Sequence, residues 1–212
     1  VKPITVLDVY YRDRLAGKLA SFEDGSLWQY DPDFLAGEQN LSPYTLEFNG
    51  DSQKKNDPRY FGLPGFIADT LPDSYGMRIM EDYFKRNRLG TPQPLDRLAY
   101  VGDQGMGAIR FRPSLPERGR LSSVELAELE LLSRTHRQKE LSTELSELMR
   151  RIGTAGGARP KALITTEEGM EKVSPGYLPG PGREYWMVKF QAGAEDEETL
   201  VEHAYSLLAQ KC

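Results

Sequence analysis

Two short segments, at 154–161 and 185–190, constrain this chain more than anything else in it. The first is Thr154-Ala155-Gly156-Gly157-Ala158-Arg159-Pro160-Lys161, which runs directly into the strand-like Ala162-Leu163-Ile164-Thr165-Thr166. The second is the strand-like Tyr185-Trp186-Met187-Val188-Lys189-Phe190, followed by a helical pattern that opens on Glu195-Asp196-Glu197-Glu198 and carries Glu202. Consecutive small residues let backbone N–H groups approach an anion with no Cβ in the way, and Arg159 and Lys161 add positive charge. The order is helix, small-residue loop, strand. A Walker A loop needs Gly-Lys-Ser/Thr between a strand and a helix, so that motif is excluded.

Each part has a plainer reading on its own. The glycines also serve as a helix stop ahead of a strand. Lys189 also fits the solvent side of an alternating strand, and Glu202 a solvated helix surface. Together they match a nucleotide-binding kinase lobe, with a Gly loop, an apolar strand presenting one lysine and a helix presenting one glutamate. A lysine in an apolar strand needs an anionic partner. In such a lobe the partners are a nucleotide phosphate and a helix carboxylate.

Composition narrows the setting. At 212 residues the chain can bury a substantial core, as one domain with subdomains or two small domains. A net charge of −5 gives the whole surface no general attraction to nucleic acid. No apolar run reaches the roughly 18–20 residues that span a bilayer, and no secretory pattern opens the chain. Cys212 is the single cysteine, which excludes an internal disulfide and points to a reducing cytoplasm. With only His136 and His203 beside it, a His/Cys zinc site is excluded. The chain opens on Val1 and closes inside a helical pattern, which predicts a piece of a longer protein.

Residues 4–31 read as a β-meander, with strands at 4–11, 19–22 and 27–30. Asp13 and Gly17 mark the first bend, and Glu23-Asp24-Gly25-Ser26 the second. Tyr10, Tyr11, Phe22, Trp28, Tyr30 and Phe34 read as its core. Residues 32–65 are loop-rich. Residues 66–88 look helical, with a break or helix start near Leu71-Pro72-Asp73. A short helix follows at 94–100, then a strand at 107–112. Gly102-Asp103-Gln104-Gly105-Met106-Gly107 reads as a tight structural turn. Residues 122–151 carry the strongest helical signal, opened by Ser122 and Glu125 as a capping box. Residues 167–184 read as a hairpin loop. Residues 195–211 form an amphipathic helix, with Leu200, Val201, Ala204, Leu207 and Leu208 on one face.

Several ordered strings resemble the HipA family of toxin kinases from type II toxin–antitoxin modules. They are Leu63-Pro64-Gly65-Phe66-Ile67-Ala68-Asp69-Thr70-Leu71-Pro72-Asp73 and Leu98-Ala99-Tyr100-Val101-Gly102-Asp103-Gln104-Gly105-Met106-Gly107-Ala108. Gly156-Gly157-Ala158-Arg159-Pro160-Lys161-Ala162 is similar to the family's phosphate loop, Val188-Lys189 to its lysine strand, and Val201-Glu202-His203-Ala204-Tyr205 to its next helix. The resemblance implies a cytoplasmic Ser/Thr protein kinase that uses ATP and Mg²⁺. It implies a protein substrate (an aminoacyl-tRNA synthetase in better-known members) and a DNA-binding helix-turn-helix antitoxin as partner. Neither direct nucleic-acid binding nor a membrane is implied. The ATP-binding residues would be Gly156, Gly157, Ala158, Lys161, Lys189 and Glu202. Thr154 stands where members phosphorylate themselves, usually on Ser. The catalytic and metal-binding aspartates would lie beyond Cys212, so neither a catalytic nor a metal residue is expected within this chain, and the chain alone is expected to be inactive.

The expectation is therefore an α+β protein. A small β-rich N-terminal subdomain at 1–113 precedes a kinase-like N-lobe of antiparallel strands and helices at 114–212. The rival reading, from a different class, is a non-catalytic, antitoxin-like interaction module.

Overall fold

In the computed structural model of the chain, the described residues are 3–37, 39–115, 161–167, 173–176, 180–189 and 197–211. The fold is α+β, with antiparallel sheets and a β-rich N-terminal region. It divides into two compact units. One is Val1–Pro72 with Met80–Arg118, the other Asp73–Ile79 with Gly119–Cys212.

The first unit is built on a five-stranded antiparallel sheet. Its strands are β1 (Val6–Tyr11), β2 (Arg14–Phe22), β3 (Gly25–Tyr30), β4 (Gln53–Lys55) and β5 (Ile109–Arg112), in the order β4-β3-β2-β1-β5. Two-residue turns join the first three strands. Arg12 (φ 55°) and Glu23 (φ 47°) take the left-handed conformation there, which tight hairpins favour. Side chains alternate across the sheet, so its register gathers one apolar face. Leu7 opposes Leu19, Leu19 opposes Trp28, and Val9 opposes Phe111. All five are fully buried. Burial of each contributes about 1.5–3 kcal/mol before entropy is charged against it.

The strand β2 is longer than its sequence pattern predicts. Gly17, read as part of a bend, lies inside the strand opposite Tyr30. Close packing explains the glycine: a Cβ there would sit 2.2 Å from the Gln29 carbonyl oxygen and 2.8 Å from the Trp28 ring. The loop-rich stretch also holds more structure than expected. The single-turn helix α1 (Pro32–Leu35) is capped by Asp31, whose carboxylate accepts the Asp33 N–H at 2.9 Å. It stacks Phe34 on Tyr30, and β4 extends the sheet beyond β3. The aromatic set splits. Trp28, Tyr30 and Phe34 are buried, but Phe22 is exposed at a hairpin end. Tyr10 and Tyr11 are half-buried, beneath the guanidinium groups of Arg112 and Arg12.

The helical stretch is broken where the proline predicts. The single turn α2 (Gly65–Ala68) ends before Pro72, and α3 spans Ser74–Arg86. Next comes α4 (Pro94–Val101), with proline in its first turn. The buried Asp96 carboxylate accepts the Gln93 N–H at 2.9 Å and the Ile4 N–H at 3.0 Å. One side chain thus caps α4 and ties the start of the chain to it. Gly102-Asp103-Gln104-Gly105-Met106-Gly107 is a structural turn. Arg110 Nη1 donates to the Gly105 and Gly107 carbonyls at 3.2 and 2.7 Å.

The second unit contains a three-stranded antiparallel sheet, β7-β6-β8, with β6 (Lys161–Glu167) between β7 (Val173–Pro175) and β8 (Arg183–Lys189). The strand β7 lies inside the stretch read as a hairpin loop. The last helix, α5, spans Glu198–Ala209. Its apolar residues Leu200, Val201, Leu207 and Leu208 are exposed, as are Tyr185, Trp186 and Met187 of β8. The apolar strand and the apolar helix face read from the sequence are thus both accessible to solvent in this chain. The helical pattern at 122–151 lies outside the described residues. Among the described residues, no helix is long and apolar enough to cross a membrane.

Candidate functional site

The site is built where β6 begins and β8 ends. The ladder pairs Lys161 directly with Lys189, then Ala162 with Val188 and Leu163 with Met187. Directly opposed residues of an antiparallel pair share a face, and like charges placed so repel. Each lysine has its own carboxylate.

Lys189 closes β8 and reaches the helix that follows. Its Nζ donates to Glu202 Oε2 at 2.5 Å, with the side chains 46% and 49% exposed. Lys189 therefore does not occupy a buried core position, although its strand is apolar. In contact with water, such a pair stabilises the fold by about 1 kcal/mol at most.

Lys161 is the reverse case. Its side chain is 7% exposed, and its Nζ stands 3.9 Å from Oδ2 of Asp73, itself 6% exposed. That distance is too long for a hydrogen bond, so the attraction is between charges. The other oxygen, Asp73 Oδ1, accepts the Gly76 N–H at 2.7 Å and caps α3. Oδ2 has no hydrogen-bond partner among the described residues.

Of the residues singled out in the sequence, Lys161, Lys189 and Glu202 thus come together. Thr154, Gly156, Gly157 and Ala158 lie outside the described residues. Sequence reasoning missed Asp73 as part of the site. It reads correctly as a helix start, but no spacing rule connects it to Lys161. Two lysines paired in register across the ladder, Lys189 accessible and Lys161 buried, suit an oxyanion at the accessible one. Among the described residues, no group of three His, Cys, Asp or Glu side chains is placed to hold a metal ion.

A family model, that of the HipA N-terminal domain, matches residues 7–112, half of the chain. The chain belongs to the HipA family. The matched residues run from β1 to β5 and include α3, whose cap is Asp73; the lysine ladder lies beyond them. No curated protein matches this HipA-family sequence.

Proposed function

We propose that this HipA-family chain carries the nucleotide-binding part of a Ser/Thr protein kinase that uses ATP and Mg²⁺. The observation that supports the reading is the 2.5 Å ion pair between the strand lysine Lys189 and the helix glutamate Glu202. Protein kinases use that combination to hold the nucleotide's α- and β-phosphates. In this reading Lys189 contacts those phosphates and Glu202 orients it. Backbone N–H groups of Gly156, Gly157 and Ala158 cover the phosphates, and Lys161 assists from the end of that segment. Thr154 is the candidate for self-phosphorylation.

The described residues fit the nucleotide better than the metal. Lys189 is an accessible cation with a carboxylate to aim it, whereas no carboxylate cluster suited to Mg²⁺ is present among them. Mg²⁺ is therefore assigned no ligand here. In this reading the residues named here supply the phosphate-binding half of phosphoryl transfer to a protein substrate. The setting that goes with the reading is the cytoplasm, with a helix-turn-helix antitoxin as partner.

Calorimetric titration with ATP·Mg²⁺ tests the reading. Wild type should bind, and Lys189→Ala should weaken binding by about tenfold or more. Equal affinity in the two overturns it. A second reading, a non-catalytic antitoxin-like module, is favoured by the exposed Trp186, Met187, Leu200 and Tyr205. It is the reading that survives if ATP binding is absent.

A further inference from the structure

We infer that Asp73 is a positioning residue that holds Lys161 at the start of β6. The inference rests on the nucleotide-binding reading for its functional half. Its structural half stands on burial, geometry and charge.

Both side chains are more than nine-tenths buried, and Lys161 lies directly opposite a second lysine. A buried ammonium needs an anion. Asp73 is built to supply one. Its Oδ1 is engaged by the Gly76 N–H, which fixes the carboxylate's orientation. Its Oδ2, without a hydrogen-bond partner among the described residues, is the oxygen 3.9 Å from Nζ. A second observation agrees. The first turns of α3, Asp73–Ile79, group with the unit that contains β6, while the rest of α3 groups with the other. The head of α3 is thus part of the lysine-bearing body.

The consequence is a division of labour between the opposed lysines. Lys189 is exposed and partnered by an exposed glutamate, which leaves it open to an incoming phosphate. Lys161 is internal and neutralised by Asp73. Its tether fixes the first residue of β6, which directly follows Gly156-Gly157-Ala158-Arg159-Pro160 in the chain. Asp73 touches no nucleotide in this scheme and acts only through Lys161.

The test uses Asp73→Asn in the 212-residue chain. Asparagine caps helices as well as aspartate, so the Gly76 bond is kept and only the charge is removed. Asp73→Ser, another good cap, should behave alike. Two readouts apply. In the first, reductive methylation of lysines is mapped by mass spectrometry, with Lys189 as internal reference. Lys161 should be protected in wild type and labelled about fivefold faster or more in Asp73→Asn. Unchanged labelling overturns the tether whether or not ATP binds. The second readout is ATP·Mg²⁺ affinity across wild type, Asp73→Asn, Lys161→Met and the double variant. Each single change should weaken binding by about tenfold, and the double should be no worse than the poorer single, because one interaction is lost once. Wild-type affinity in Asp73→Asn, or losses that multiply, overturns the functional half. Absence of ATP binding in wild type defeats the nucleotide reading itself, while the labelling still decides the tether. If Asp73→Asn fails to fold and the neutral double variant folds, the buried charge pair is supported directly.

Discussion

Lys161 and Lys189 oppose each other across the β6–β8 ladder, and each is answered by a carboxylate from a helix: Asp73 at the head of α3, Glu202 within α5. The two pairs differ in solvent. The Asp73–Lys161 pair is internal and the Lys189–Glu202 pair lies open to water. The same kind of charge pair therefore has two different consequences.

For the open pair, stability and binding should separate. Lys189→Ala and Glu202→Gln should each shift unfolding stability by less than about 1 kcal/mol, because an exposed ion pair contributes little. In ATP titration Lys189→Ala should lose more affinity than Glu202→Gln, since in the proposed nucleotide site only the lysine meets the phosphates. Urea unfolding beside calorimetry checks both halves. A loss of several kcal/mol in either variant would mean that the pair supports the fold instead.

The difference between these pairs marks what the sequence could and could not reveal. Lys189 and Glu202 were legible because the strand and the helix that bear them follow one another closely in the chain. The β1–β3 meander was legible for a similar reason, since alternation and turn residues are local signals. Asp73 was visible only as a cap, because its contact with Lys161 joins distant parts of the chain. Gly17 was misread because a glycine in a turn and a glycine under a tryptophan look alike in sequence. The exposure of the apolar residues of β8 and α5 was not legible either. Periodicity gives the face of an element but not what covers it.

Gly17→Ala should be strongly destabilising. The added Cβ would lie 2.2 Å from the Gln29 carbonyl oxygen, and backbone cannot yield as a flexible side chain can. Displacing β3 would also disturb Trp28 in the core. The expected loss is about 2–3 kcal/mol, the upper part of the overpacking range. It should appear as a lower urea midpoint. A midpoint equal to wild type would show that the β2–β3 ladder relaxes at little cost.

Asp96→Ala removes two hydrogen bonds from a buried carboxylate and leaves the Gln93 and Ile4 N–H groups without it. The expected loss is about 1–3 kcal/mol. Hydrogen exchange at the Ile4 amide should accelerate more than exchange in β2, because the bond that ties the chain's start to α4 is broken. Uniform acceleration across the sheet would point to global destabilisation without a local anchor.

Tyr30 gives the fold an alkaline dependence. Burial raises its phenol above the ordinary 10.0, outweighing a hydrogen bond with the Leu41 backbone and an interaction with Trp28 that act the other way. The folded state therefore holds this proton more tightly than the unfolded state. The stabilisation is complete below about pH 10 and is lost as pH rises through the raised folded value. Tyr30→Phe also loses the hydrogen bond that the phenol donates to Asn40 Oδ1 at 3.0 Å. At about pH 8 the variant should be less stable than wild type by about 0.5–1.5 kcal/mol. Phenylalanine cannot ionise, so the gap should narrow as pH rises past about 10, as only wild type meets the cost of a buried phenolate. Urea unfolding of both proteins at about pH 8 and about pH 11 measures the gap. A gap of constant size would mean that Tyr30 titrates alike in the folded and unfolded chains, and that its burial does not hold the proton.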